Sequence, residues 1–181
     1  MEMVNKQQLK FEKFGMNLFL SLTLWECLQY SYKDDEAELK ELLQKVFESD
    51  LGKYDIDTYG QVEEWNTINI KDMSELFDTV RDSRAAIFNY DISSWDVSNV
   101  TTMRRLFNNH NDDDNMYGPP SQFNQPIGSW NVHKVTDMYL MFSGASLFNH
   151  PIENWNVSSV TSMYNMFNHA EVFNQPLENW N

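Results

Sequence analysis

The chain has 181 residues, enough for one ordinary domain or for a small repeat array with a covering segment. An apolar share of 41% excludes a disordered chain, and an aromatic share of 14% predicts a core built from rings as much as from aliphatic side chains. A formal charge of −14 with no basic stripe excludes a nucleic-acid partner, because such a surface repels a phosphate backbone.

In chain order, three lysines (Lys6, Lys10, Lys13) precede the apolar run Leu18 to Leu24. The run alternates like a strand and is equally compatible with a helix. It is far too short to span a bilayer, so no transmembrane segment is expected. Its shortness, the absence of a small-x-small cleavage site and Glu26 just beyond it favour a packed N-terminal segment. A signal or anchor is the alternative. Cys27 is the lone cysteine, which excludes an internal disulfide. Leu24-Trp25-Glu26 before it do not fit a lipidation signal, which needs small residues there. Residues 34–50 then read as an acidic amphipathic helix, with Leu39, Leu42, Leu43, Val46 and Phe47 on one face. Residues 1–58 are therefore assigned to an N-terminal segment and helical cap, since the end of a repeat stack must be covered.

From residue 59 to residue 181 the chain repeats itself. Trp65, Trp95, Trp130, Trp155 and Trp180 mark the period, and the last two intervals are 25 residues. Eight residues after each of the first four comes a methionine (Met73, Met103, Met138, Met163), and four later a phenylalanine (Phe77, Phe107, Phe142, Phe167). Seven residues before each later tryptophan stands Phe-Asn: Phe88-Asn89, Phe123-Asn124, Phe148-Asn149, Phe173-Asn174. All the length variation falls between those phenylalanines, which makes residues 78–87 and 108–122 insertions in an otherwise fixed frame.

Within a unit, Trp130 and Val132 lie two apart, like Trp95 with Val97 and Trp155 with Val157, as on one face of a short strand. Met138, Met141 and Phe142 follow the i, i+3, i+4 spacing of a short helix, with Thr101, Thr136 and Thr161 as N-caps. The expected fold is an α/β repeat solenoid, a stack of short parallel strands and short helices with an N-terminal helical cap. Tryptophans, methionines and phenylalanines would form inward ladders, and Asn89, Asn124, Asn149 and Asn174 would stack at a turn to satisfy backbone groups. The first insertion could extend a helix. The second, with Asn111 to Asn115 and Gly118-Pro119-Pro120, lacks the alternation of a calcium loop and reads as a flexible acidic loop. The sequence stops at Trp180-Asn181 inside an expected strand, which suggests either a fragment of a longer array or an edge that pairs with another molecule.

The phrases Phe-Asn-Gln-Pro-Leu-x-x-Trp-Asn (173–181) and Trp-Asn-Val-Ser-Ser-Val-Thr-Ser-Met-x-x-Met-Phe (155–167) resemble the BspA-like leucine-rich repeats, the bacterial surface protein repeat of 25 or 26 residues. The resemblance covers residues 59–181 and is looser in the first unit, where Thr67 and Ile70 replace valines and no proline follows Asn89. It implies a leucine-rich-repeat-like architecture, surface or virion display, adhesion and protein binding, with no catalytic residues to carry over.

No chemistry stands out. The histidines (His110, His133, His150, His169) fall at four different repeat phases, with no metal-ligand spacing, and there is no Gly-rich phosphate loop. No catalytic, cofactor-binding or metal-binding residue and no cofactor is expected. Arg104, Tyr139 and Tyr164 share one phase and are the candidate partner-binding residues, since Arg and Tyr favour interface anchors. The reading is a non-enzymatic repeat protein that presents a binding or adhesion surface to an unidentified protein. The alternative is a structural unit that self-associates through its C-terminal edge.

Overall fold

A computed structural model describes residues 35–48, 60–111 and 116–180. The N-terminal run, including residues 18–24 and Cys27, lies outside the described residues. Among the described residues one α-helix, α1 (Asp35–Glu48), is followed by three short 3-10 turns (Val62–Glu64, Ser83–Ile87, Ile127–Ser129) and a two-stranded antiparallel ladder, β1 (His110–Asn111) with β2 (Met116–Tyr117). The amphipathic run folds as expected: Leu39, Leu43, Val46 and Phe47 are buried and Leu42 is half-buried. Its Phe47 ring meets Phe77 and Phe88 edge-on, at 6.3 and 6.2 Å between centroids.

The expected α/β solenoid of strands and helices does not form. Among the described residues the repeats contain no strand outside the second insertion, only the isolated parallel bridges Asp72↔Thr102, Thr102↔Asp137 and Asp137↔Ser162, and no α-helix. Each repeat is instead a chain of tight turns. Beside the tryptophans, the carboxamide or carboxylate of Asn66, Asp96 and Asn156 accepts the N–H of Ile68, Ser98 and Ser158, closing a turn one residue after the ring. An i to i+3 bond follows at once: Ile70 to Thr67, Val100 to Val97, Val135 to Val132 and Val160 to Val157. Those two turns leave no length for a strand. The Ser98 hydroxyl and N–H hold the Asp96 carboxyl below the usual carboxylate range, as befits an anchored turn.

The expected helix fails two residues past each methionine. Glu75, Arg105, Leu140 and Asn165, all at one phase, take left-handed φ of 62°, 54°, 55° and 54°. A left-handed residue interrupts an α-helix and costs roughly 1–2 kcal/mol where the side chain is not glycine. What offsets it is a ladder between units. Met138, Leu140, Phe142 and Gly144 donate their N–H groups to the carbonyls of Ser162, Tyr164, Met166 and Asn168, at 2.7–3.0 Å. Met103, Arg105, Phe107 and Asn109 do the same toward the third unit, and Met73, Glu75, Phe77 and Thr79 toward the second. The intervening N–H groups close local turns, such as Met141 to Met138 and Ser143 to Leu140. Every backbone donor from Met103 to Asn109 and from Met138 to Gly144 thus has an acceptor. Thr101, Thr136 and Thr161 cap no helix; their hydroxyls donate back to the carbonyls of Lys71, Thr101 and Thr136.

Over that ladder the rings lie in columns. Phe77, Phe107, Phe142 and Phe167 follow one another at 5.2, 5.5 and 5.6 Å, nearly parallel. Inside each unit the two phenylalanines touch face to face, at 4.2, 4.0, 4.4 and 4.3 Å from the first unit to the fourth. Trp65 stacks on Trp95, and Trp130 on Trp155 on Trp180, at 6.2–6.4 Å. Each of the indoles from Trp95 onward donates to a carbonyl of the preceding unit: Val62, Ile92, Ile127 and Ile152 in turn. Asn89, Asn124 and Asn149 accept, through Oδ1, the N–H of Asn124, Asn149 and Asn174 at 2.9, 3.1 and 2.9 Å. These asparagines tie the outer turns together.

The insertions depart from expectation as well. Residues 83–87 form a 3-10 turn, not a helix extension, with Asp82 accepting from Arg84 N–H at its start. The ends of the second insertion are packed, with Asn109 and His110 buried and Gln122 donating to Ala86, while its acidic stretch, residues 112–115, lies outside the described residues. Gly118 lies so close on Thr79 that a side chain has no room there. Asp78 and Asn108, at one phase, form a buried pair, Asn108 Nδ2 donating to Asp78 Oδ2 at 3.0 Å. Burial pushes the Asp78 carboxyl up, against the opposing pull of Asn108 and the Val80 and Arg81 N–H groups.

Candidate partner-binding surface

The residue just after each methionine is half-buried in the first three units and exposed in the fourth. This phase carries Ser74, Arg104, Tyr139 and Tyr164, and its backbone is held twice. The carbonyls of Arg104, Tyr139 and Tyr164 accept from Glu75, Arg105 and Leu140 of the unit before, at 3.0, 2.8 and 3.0 Å. The N–H groups of Ser74 and Tyr139 donate to the carboxylates of Asp72 and Asp137, at 2.7 and 2.8 Å. So fixed, the side chains come into register. Tyr139 and Tyr164 stack at 5.6 Å and 14°, and the Arg104 guanidinium lies 4.0 Å from the Tyr139 ring centre, with that of Arg105 at 5.9 Å. The three sequence-predicted residues therefore form one column, capped by a cation–π contact. Tyr139 is half-buried within it, while Tyr164 is 63% exposed. An exposed ring on a rigid scaffold, stacked on a second ring that carries a guanidinium on its far side, supplies contact area at low entropy cost.

A second cluster escaped the sequence reasoning. His110 and His169, at different phases, meet at 5.3 Å, and Tyr117 packs on both, at 4.7 and 5.6 Å. The β1–β2 ladder carries His110 and Tyr117, and the third unit places Gly144 at the phase of His169, with no side chain in the way. The signal was the glycine at a phase held elsewhere by Thr79, Asn109 and His169. Among the described residues no group of three or more His, Cys, Asp or Glu side chains is placed to hold a metal ion. No described helix is long and apolar enough to cross a membrane.

The architecture of the described residues defines a repeat protein, four turn-built units in register behind α1. Residues 42–113 and 109–181 each match the family described as "Mycoplasma protein of unknown function, DUF285". The two matches run through most of the chain, which belongs to that family. No curated protein matches the chain, and no solved structure does.

Proposed function

We propose that this chain is a non-enzymatic binding module that presents the Arg104–Tyr139–Tyr164 column to a protein partner. The observation that carries the reading is the alignment of a guanidinium and two tyrosine rings on one pinned edge. Their side chains take little part in the core, so their regular placement is not explained by packing alone. The resemblance to BspA-like repeats adds support for surface display and adhesion, and the membership in a repeat family agrees with it. The test replaces Arg104, Tyr139 and Tyr164 together by alanine. A partner captured saturably by the wild-type chain should be lost, while circular dichroism and melting temperature change little. Undiminished capture by the triple variant removes this surface.

A second reading rests on the fourth unit. The N–H groups of Met163, Asn165, Phe167 and His169, which in the other units donate forward, have no acceptor among the described residues, and Phe167, Phe173 and Trp180 are only half-buried. Such an edge suits stacking by another unit of the same kind. Sedimentation as a strict monomer at high concentration counts against self-association through it.

A further inference from the structure

We infer that the cleft between α1 and the first repeat is a docking groove for a peptide segment of a partner protein, one that carries an acidic side chain. In the fourth unit the Thr136 carbonyl takes the N–H groups of Thr161 and Ser162, at 2.8 and 3.3 Å. In the first unit the Glu36 carboxylate of α1 stands in that place: Oε1 accepts the N–H groups of Lys71 and Asp72 at 3.0 Å each. Phe47 likewise sets a ring against the start of the phenylalanine columns.

The imitation is incomplete. In the second to fourth units the carbonyls of Arg104 and Leu106, Tyr139 and Met141, and Tyr164 and Met166 all accept from the unit before. Their counterparts in the first unit, on Ser74 and Leu76, receive no donor among the described residues. α1 stands away from them and leaves a cleft of about 500 Å³, a size common for ligand sites. Ser74 and Leu76 form one wall, with Lys40 and Gln44 of α1 opposite. Two carbonyls spaced two residues apart call for a main chain whose N–H groups have the same spacing, as Leu140 and Phe142 supply to the fourth unit, and such main-chain pairing is how a peptide adds to an unsatisfied edge. The charge is complementary to an acid. Arg81 pairs with Glu75, and Arg84 with Asp82 and Glu48, whereas Lys40 pairs with no carboxylate among the described residues.

The probe is a capped peptide of residues 137–143 (Asp-Met-Tyr-Leu-Met-Phe-Ser), because the N–H groups of Leu140 and Phe142 have the required spacing in the stack. It is titrated into the isotopically labelled 181-residue chain, beside the same peptide N-methylated at those two amides. The expected result is saturable shifts at Ser74, Leu76, Lys40 and Gln44, at least tenfold weaker binding of the methylated peptide, and severalfold weaker binding to Lys40→Glu at low salt. Equal binding of both peptides would show apolar adhesion and overturn the inference. Shifts confined to Met163–His169, or no binding at millimolar peptide because the chain's own segments fill the groove, would overturn it too.

Discussion

Replacing Phe142 and Phe167 by alanine, one at a time, probes the ring columns most sharply, because the two residues occupy one phase in different surroundings. Phe142 is fully buried, with Phe107 at 5.5 Å, Phe148 at 4.4 Å, Trp155 at 6.3 Å and Phe167 at 5.6 Å. Truncating a buried phenylalanine costs about 3–5 kcal/mol, the transfer term plus the cavity left behind, and the upper half of that range applies where four rings lose a partner. Phe167 has rings on one side and within its own unit only (Phe142, Phe173, Trp180) and is half-buried. With part of its surface already in water, its truncation should cost about 2 kcal/mol. The assay is urea unfolding followed by tryptophan fluorescence and near-ultraviolet circular dichroism. Should Phe142→Ala abolish folding, Phe142→Leu, which keeps much of the volume, gives a measurable loss of about 1–1.5 kcal/mol. Equal costs at the two positions, or a smaller cost at Phe142, would refute the continuous stack.

Other substitutions test other contacts. Gly144 has φ of +71°, and a Cβ there would lie 3.0 Å from that of Asn109. Gly144→Ala should therefore cost about 1–2 kcal/mol and lower the melting temperature by several degrees; an unchanged melt would contradict the assigned turn. Glu36→Gln keeps an acceptor oxygen for Lys71 and Asp72 and should melt close to wild type, whereas Glu36→Ala should lose about 1–2 kcal/mol; equal losses would show that charge, not acceptance, matters. Asp78 bears on pH. Its carboxyl is raised above 3.8 in the folded chain, so the folded state holds the proton more tightly than the unfolded state does. Its contribution is fully present below the unfolded value and is lost as pH rises through the folded one. Measured against Asp78→Asn, wild-type stability should fall as pH rises from about 3.8, by chemical denaturation. A relative gain over that range would reverse the sign.

Much of the interior was legible from the residues. A ring needed at the same place in every turn shows itself as a fixed phase, which is why the tryptophans, methionines and phenylalanines could be read as columns and the variable stretches as insertions. The amphipathic run of α1 was equally plain. The secondary structure was misread for a specific reason. Methionine, methionine or leucine, and phenylalanine at i, i+3 and i+4 suit one face of a helix, but they suit two successive turns around a left-handed residue just as well. Glu75, Arg105 and Leu140 give no compositional warning of positive φ, since glycine is the usual sign. Asn66, Asp96 and Asn156 give no signal of their own in the sequence, yet they close the turns that prevent a strand. At the candidate surface a shared phase was enough to bring Arg104, Tyr139 and Tyr164 together. The His110–Tyr117–His169 contact depends on how an insertion folds back, which periodicity does not encode.

The central claim is that alternate N–H groups leave their own unit to bond with the next. Scalar coupling across hydrogen bonds, detected between amide nitrogen and carbonyl carbon in the labelled chain, tests it directly. Phe142 nitrogen should couple to the Met166 carbonyl carbon, and Leu140 nitrogen to that of Tyr164. Coupling of Phe142 nitrogen to the Met138 carbonyl, the i−4 partner of an α-helix, would contradict the account.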